Sequence, residues 1–145
     1  MPKNREAVRV KRYLLDTNAL GHFINNRRGV LDRARVEVAN GSLIGTGTLA
    51  YGELRYGIEW SRSKVENLRR LKKDIAGIRF WPFDVKAAEE YGRLYALLRR
   101  IGRLMQVIDI QLAAIALTIG NCTVVSSDTD LSAVPGLSVE DWSAS

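Results

Sequence analysis

Four carboxylates stand at the edges of apolar runs: Asp16 in YLLDTNAL, Glu53 in LAYGELRYGI, Asp109 in VIDIQLAAIAL and Asp128 in TVVSSDTD. A carboxylate that closes a buried strand is usually a helix cap or a metal ligand. Brought together, such groups repel, and their pKa values rise unless a cation lies between them. Oxygen-only donors suit Mg2+ or Mn2+, ions that keep water and take further ligands from phosphate. An ion so held activates water and offsets the charge that builds on a phosphodiester during cleavage. Thr17 and Asn18 are candidates to orient Asp16 by hydrogen bonds, and Ser126 and Ser127 to bond a neighbouring carboxylate. Each acid also has a plainer reading. Asp16 before TNAL is a good N-cap, with Asn18 as the alternative cap. Glu53 fits a solvated helix face, Asp109 could cap the helix it opens, and Asp128 and Asp130 fit a turn. Taken together at these positions, the four favour a metal site.

For these acids to meet, the elements that carry them must end at one edge. RYLLD reads as a short buried strand ending at Asp16, followed by a helix with Leu20, Phe23 and Ile24 at helical spacing. VLDRARVEVAN repeats the pattern through Val30, Leu31, Ala34 and Val38, and Asn40-Gly41 stops it. SLIGTG is a second strand, and Thr48 is the expected N-cap of the helix bearing Glu53. A charged amphipathic helix follows, with Val65, Leu68, Leu71 and Ile75 as its apolar stripe. RFWPF is strand-like. Asp84 is expected to cap a helix whose buried face carries Ala88, Tyr91, Tyr95 and Leu98 and which Gly102 closes. The helix in IDIQLAAIALTIG is apolar on most sides, CTVVSSD is a strand, and LSVEDW is a last short one. Short strands alternating with helices predict an α/β sandwich around a mostly parallel sheet. Ligands of such sheets sit beyond the carboxyl ends of the strands. That edge is where Asp16 and Asp128 fall.

The chain has 145 residues, 46% hydrophobic and 26% charged, which is the composition of one globular domain. Residues 1–12 read as a basic amino-terminal arm and residues 13–145 as a single domain. A net charge of +6 favours a polyanionic partner such as nucleic acid, and fits an acidic protein equally well. The one cysteine, Cys122, allows no internal disulfide, and the one histidine, His22, allows no Cys/His zinc cluster. No G-x-S-x-G elbow accompanies His22, and no G-x-G-x-x-G follows a strand. No run reaches the ~20 apolar residues of a membrane span, so a cytoplasmic location is expected.

The segments YLLDTNAL, GELRYGI, IDIQLAAIAL and VVSSDTDLSAVPGLSVEDW are each short, but their order and spacing from Tyr13 to Trp142 form a set. That set resembles the PIN-domain ribonucleases of the VapC type, the toxin half of a type II toxin–antitoxin pair. The resemblance implies a PIN-like three-layer sandwich and a Mg2+- or Mn2+-dependent endoribonuclease acting on structured RNA, a tRNA or an rRNA loop. Carried over residue by residue, it places the family's acids on Asp16, Glu53, Asp109 and Asp128. It makes Asp16 and Asp109 the main metal ligands, with Glu53 binding metal or orienting water and Asp128 completing the cluster. Where relatives carry a segment like NTRDF, this chain reads DTDL, which leaves Asp130 as an alternative to Asp128. A homodimer and a cognate antitoxin are also implied, with Tyr51, Tyr56 and Trp60 as anchors for the antitoxin. The basic runs Arg62, Lys64, Arg69, Arg70, Lys72, Lys73 and Arg99, Arg100, Arg103 would follow an RNA backbone, though such runs are commonly solvated helix faces.

Two other readings fit the same residues. In one, the acids are caps and the domain is a non-catalytic basic module that holds nucleic acid or an acidic protein. In the other, the metal nuclease acts on DNA. Chelation separates the first from a nuclease, and the nucleic acid that is cut separates the second.

Overall fold

The computed structural model describes residues 10–143. Most of the basic arm expected over residues 1–12 therefore lies outside the described residues, as do residues 144–145. Chain order is β1 (Arg12–Leu15), α1 (Thr17–Ile24), α2 (Val30–Ala39), β2 (Leu43–Gly47), α3 (Thr48–Trp60) and α4 (Lys64–Asp74). It continues with β3 (Arg79–Trp81), α5 (Val85–Arg100), α6 (Val107–Ile119), β4 (Cys122–Val125) and β5 (Ser138–Glu140). Single 3-10 turns at Ile75–Gly77 and Thr129–Ala133 precede β3 and β5.

The five strands form one sheet in the order β3-β2-β1-β4-β5, and every pairing is parallel. Side chains alternate across β1 as the strand period requires. Tyr13 and Leu15 face a core shared with α1 and α2, whereas Leu14 faces the core built by α5 and α6. Helices thus cover both faces of the sheet, giving the expected three-layer α/β sandwich. Leu15 lies level with Thr46 of β2 and Val125 of β4. The residue that follows each, Asp16, Gly47 and Ser126, opens the carboxyl edge. Because β1 is central and the chain departs from it in both directions, this edge is the switch point where open parallel sheets bind ligands.

Close packing explains the glycines of β2. A Cβ at Gly45 would fall 2.8 Å from the Arg79 carbonyl and 2.6 Å from the Trp81 ring, so the sheet and Trp81 close over bare backbone. At Gly47 it would meet Leu112 of α6 at 2.8 Å.

Four local expectations are corrected. Gly47, not Thr48, is the N-cap of α3, because the strand runs straight into the helix and Thr48 is already its first residue. Val38 and Val65 are 55% and 84% exposed, so the apolar stripe of α2 ends before Val38 and that of α4 begins only after Val65. The buried face of α5 is Ala87, Leu94 and Leu98, with Tyr91 partly buried; Ala88 and Tyr95 lie outside it. The register is set by Asp84, whose carboxylate caps the Ala87 N–H at 2.9 Å and starts the helix there. Helix α6 is buried on most sides as expected, at Ile110 and from Leu112 to Ala116. Cys122 is half-buried and burial pushes its thiol up to about 12, which suits a structural role. No helix among the described residues is long and apolar enough to cross a membrane.

Candidate functional site

Asp16 is 7% exposed, directly beyond β1. Its Oδ1 accepts the Ala19 N–H at 2.8 Å, so it is the N-cap of α1, and its carboxylate also accepts from the Ser126 hydroxyl. Burial raises its pKa despite these bonds, and the charge of Asp128 raises it further. Ser126 directly follows β4, is buried, and accepts the Asp128 N–H at 2.9 Å. One hydroxyl therefore joins two of the four acids.

Asp109 lies in the first turn of α6, where Gln106 is the N-cap and no side chain caps the helix. A carboxylate there is favoured by the helix dipole. Its neighbours overrule that preference. Burial, then the charges of Asp128 and Asp16, a hydrogen bond with Asp128 and the charge of Glu53 lift the Asp109 pKa to about 6. The other three acids chosen from the sequence thus all act on this one carboxyl group.

Glu53 is exposed on α3, and its Oε1 accepts from the Thr17 hydroxyl at 2.5 Å. Thr17 was expected to orient Asp16; as the first residue of α1 it turns outward to α3 and holds Glu53 instead. Asn18 is exposed beside it. Asp128 caps the following 3-10 turn by accepting the Asp130 N–H at 2.9 Å, so turn and site readings both apply to it. Asp130 itself is drawn away, its Oδ1 accepting from Arg103 at 3.2 Å. Ser127 is exposed.

Among the described residues, no three acidic, imidazole or thiol side chains close upon a point that could hold a metal. One oxygen of each of three acids is engaged: Asp16 with Ala19, Glu53 with Thr17 and Asp128 with Asp130. Asp16 also accepts from Ser126, and Asp128 bonds with Asp109. The donor set is therefore all-carboxylate and mutually repulsive, which fits a hard divalent cation in chemistry.

Beside Thr17 and Glu53 a groove of about 360 Å³ runs between α1 and α3 and reaches Asn67 of α4. Its residues on α1, His22 among them, were missed as a group in the sequence, although polar residues at 18, 22 and 25 follow helical spacing. Of the basic runs, Lys64 pairs with Glu59, Arg69 and Arg70 with Glu66, and Arg103 with Asp130. Among the described residues Arg62, Lys72, Lys73, Arg99 and Arg100 carry no ion pair.

Comparison with known proteins gives a consistent result. The PIN domain family matches residues 13–137. The tRNA(fMet)-specific endonuclease VapC of Shigella flexneri is 32% identical over 91% of this chain and 98% of its own. Ribonuclease VapC2 of Rickettsia felis is 25% identical over 90% of this chain and 97% of its own. The crystal structure of VapBC2 from Rickettsia felis, bound to a DNA fragment from their promoter, superposes with a TM-score of 0.82 at 25% identity, over 90% of this chain and 98% of that one. DNA-bound VapBC from Salmonella typhimurium gives 0.81 at 25% identity, over 92% and 99%.

Proposed function

The chain belongs to the PIN-domain family, among the VapC-type toxins of toxin–antitoxin systems, and from that premise we propose that it is a Mg2+- or Mn2+-dependent endoribonuclease with Asp16, Glu53, Asp109 and Asp128 as its acidic site. The observation that carries this reading is Asp109, a single carboxyl raised to about 6 partly by the other three acids. Asp16, Asp109 and Asp128 would hold the ion through oxygen. Bound there, it would lower the pKa of a coordinated water and offset charge on the scissile phosphate.

The chain's own residues do the rest. Asp16, fixed by Ala19 and Ser126, is a rigid donor that needs no reorganisation. Glu53, held through one oxygen by Thr17, keeps the other to orient or deprotonate the attacking water. Unpaired cations such as Arg99 and Arg100 supply sequence-independent contacts to the RNA backbone. Structured RNA is the substrate class, and tRNA is the first to test because a 32% identical relative is named for it.

A homodimer and a cognate antitoxin complete the proposal. Two of the three expected anchors, Tyr56 and Trp60, are 69% and 80% exposed on α3 and available to a partner. Tyr51 instead packs edge-on against Phe80.

The deciding experiment is cleavage of purified total RNA by antitoxin-free wild type and Asp109→Asn protein, with and without Mn2+ or Mg2+. Discrete metal-dependent fragments from wild type alone are expected. No cleavage by folded wild type with either metal would sink the proposal.

A further inference from the structure

The groove between α1 and α3 begins at the acids, where Thr17 and Glu53 line it, and ends at Arg27. At about 360 Å³ it lies within the ~300–1,000 Å³ typical of small-ligand pockets. Its floor is apolar, made by Ile24, Leu54 and Ile58. Its rim is polar and already oriented.

Asn67 is turned by its donor: its Nδ2 donates to Ser61 Oγ at 3.0 Å, and that hydroxyl is itself spent on the Ile58 carbonyl. Asn25 is fixed likewise, with Nδ2 donating to the Gly21 carbonyl at 3.0 Å. In both, the protein bond identifies which end of the amide is nitrogen and leaves Oδ1 as an acceptor. Two planar groups, the His22 imidazole and the Arg27 guanidinium, stand at the same groove, and among the described residues no acid pairs with Arg27.

Both helical walls also carry a glycine, Gly21 on α1 and Gly57 on α3, and a Cβ at either would meet nothing within 4 Å. Glycine inside a helix is destabilising relative to alanine, because its backbone loses more freedom on folding. Gly52 and Gly92 are open helical glycines elsewhere, so glycine alone marks nothing. What distinguishes this pair is its position, one on each wall of a groove that a side chain would fill.

We infer that this groove is a subsite for one unstacked nucleotide of the RNA strand, adjacent to the bond that is cut. The base lies over Ile24, Leu54 and Ile58, with its edge N–H groups toward the Asn25 and Asn67 carbonyls, and the flanking phosphate lies toward Arg27. Single-stranded RNA is read in this way, by planar side chains and edge hydrogen bonds on a splayed base. The inference rests on the ribonuclease reading and adds to it a residue-level source of base preference.

The test is NMR of the full-length, metal-free protein titrated with each of the four 5′-nucleoside monophosphates. Wild type is compared with Gly57→Leu, which fills the groove while keeping a good helix former, and with Asn67→Ala. One nucleotide is expected to shift the Asn67 side-chain amide and the facing signals of α1 and α3, and both variants should weaken it tenfold or more. Shifts confined to another surface, no shift with any nucleotide, or unchanged binding by folded Gly57→Leu would overturn the inference. A second arm cuts RNA oligonucleotides that differ in one base beside the cleaved bond. Wild type should prefer one base, and Gly57→Leu should lose that preference. A Gly57→Leu protein that keeps nucleotide binding and base preference but no longer binds its cognate antitoxin would give the groove to a protein partner and overturn the inference. Failure of the ribonuclease reading looks different: no RNA is cut, while the nucleotide shifts still report on the groove.

Discussion

The Ser126 hydroxyl accepts the backbone N–H of Asp128 at 2.9 Å while donating to Asp16, so the last residue before the loop sets the position of acids from both ends of the chain. Removing it leaves the Asp16 carboxylate without one donor and the Asp128 loop without its anchor. Ser126→Ala should lower Mn2+ affinity about 10–100-fold, the usual cost of losing a group that orients a ligand. Calorimetric titration would measure it. Unchanged affinity would show that the hydroxyl only closes the strand.

Asp16 has two duties that substitution can separate. Asn caps a helix about as well as Asp, whereas Ala loses roughly 1 kcal/mol of cap. Asp16→Asn should therefore stop RNA cleavage with little loss of stability, and Asp16→Ala should stop cleavage and also lower the denaturation midpoint. Cleavage by folded Asp16→Asn at the wild-type rate would remove Asp16 from the chemistry.

Asp109 gives a pH signature. Its folded pKa of about 6 exceeds the ordinary carboxylate value near 4, so between those limits the folded state holds a proton that the unfolded state does not. Stability then falls as pH rises through that window. Metal-free protein should melt a few degrees lower at pH 7.5 than at pH 5. Asp109→Asn should flatten the difference, and Mn2+ at pH 7.5 should raise the melting temperature of wild type alone. Thermal melts across pH, with and without Mn2+, check all three; a pH-independent wild type would contradict the coupling.

Asp128 and Asp130 part company in the same way. Asp128 hydrogen-bonds with Asp109, whereas Asp130 pairs with Arg103. Asp128→Asn should reduce cleavage at least tenfold, and Asp130→Asn should leave it within about twofold, because an exposed ion pair contributes at most ~1 kcal/mol. The reverse order would move the fourth acid to Asp130.

The framework was legible wherever a local rule decided it. YLLD announces a strand and a cap together, and the apolar run after Asp109 makes α6 a buried helix whatever surrounds it. The face of α5 was misread because Tyr91 and Tyr95 look like core. Yet the Asp84 cap fixes the register at Ala87 and leaves Tyr95 at the rim, edge-on to Tyr91. Side-chain targets were harder. Nothing in DTN tells Thr17 to reach Glu53 rather than Asp16, because that choice depends on how α1 lies against α3. The order of DTD likewise does not reveal that Arg103 draws one of its acids aside.

The central place of β1 also orders events at the ribosome. This strand borders both β2 and β4, and its Asp16 waits for Ser126 and Asp128, which lie near the far end of the chain. Contacts that span most of a sequence are slow to form, because the long loop between their partners must be closed first. If the proposed ribonuclease reading holds, a growing copy is harmless while its carboxylates are still apart, and gains its acidic site only when the segment bearing Ser126 and Asp128 has joined the sheet. That interval is one in which a newly made antitoxin can meet it.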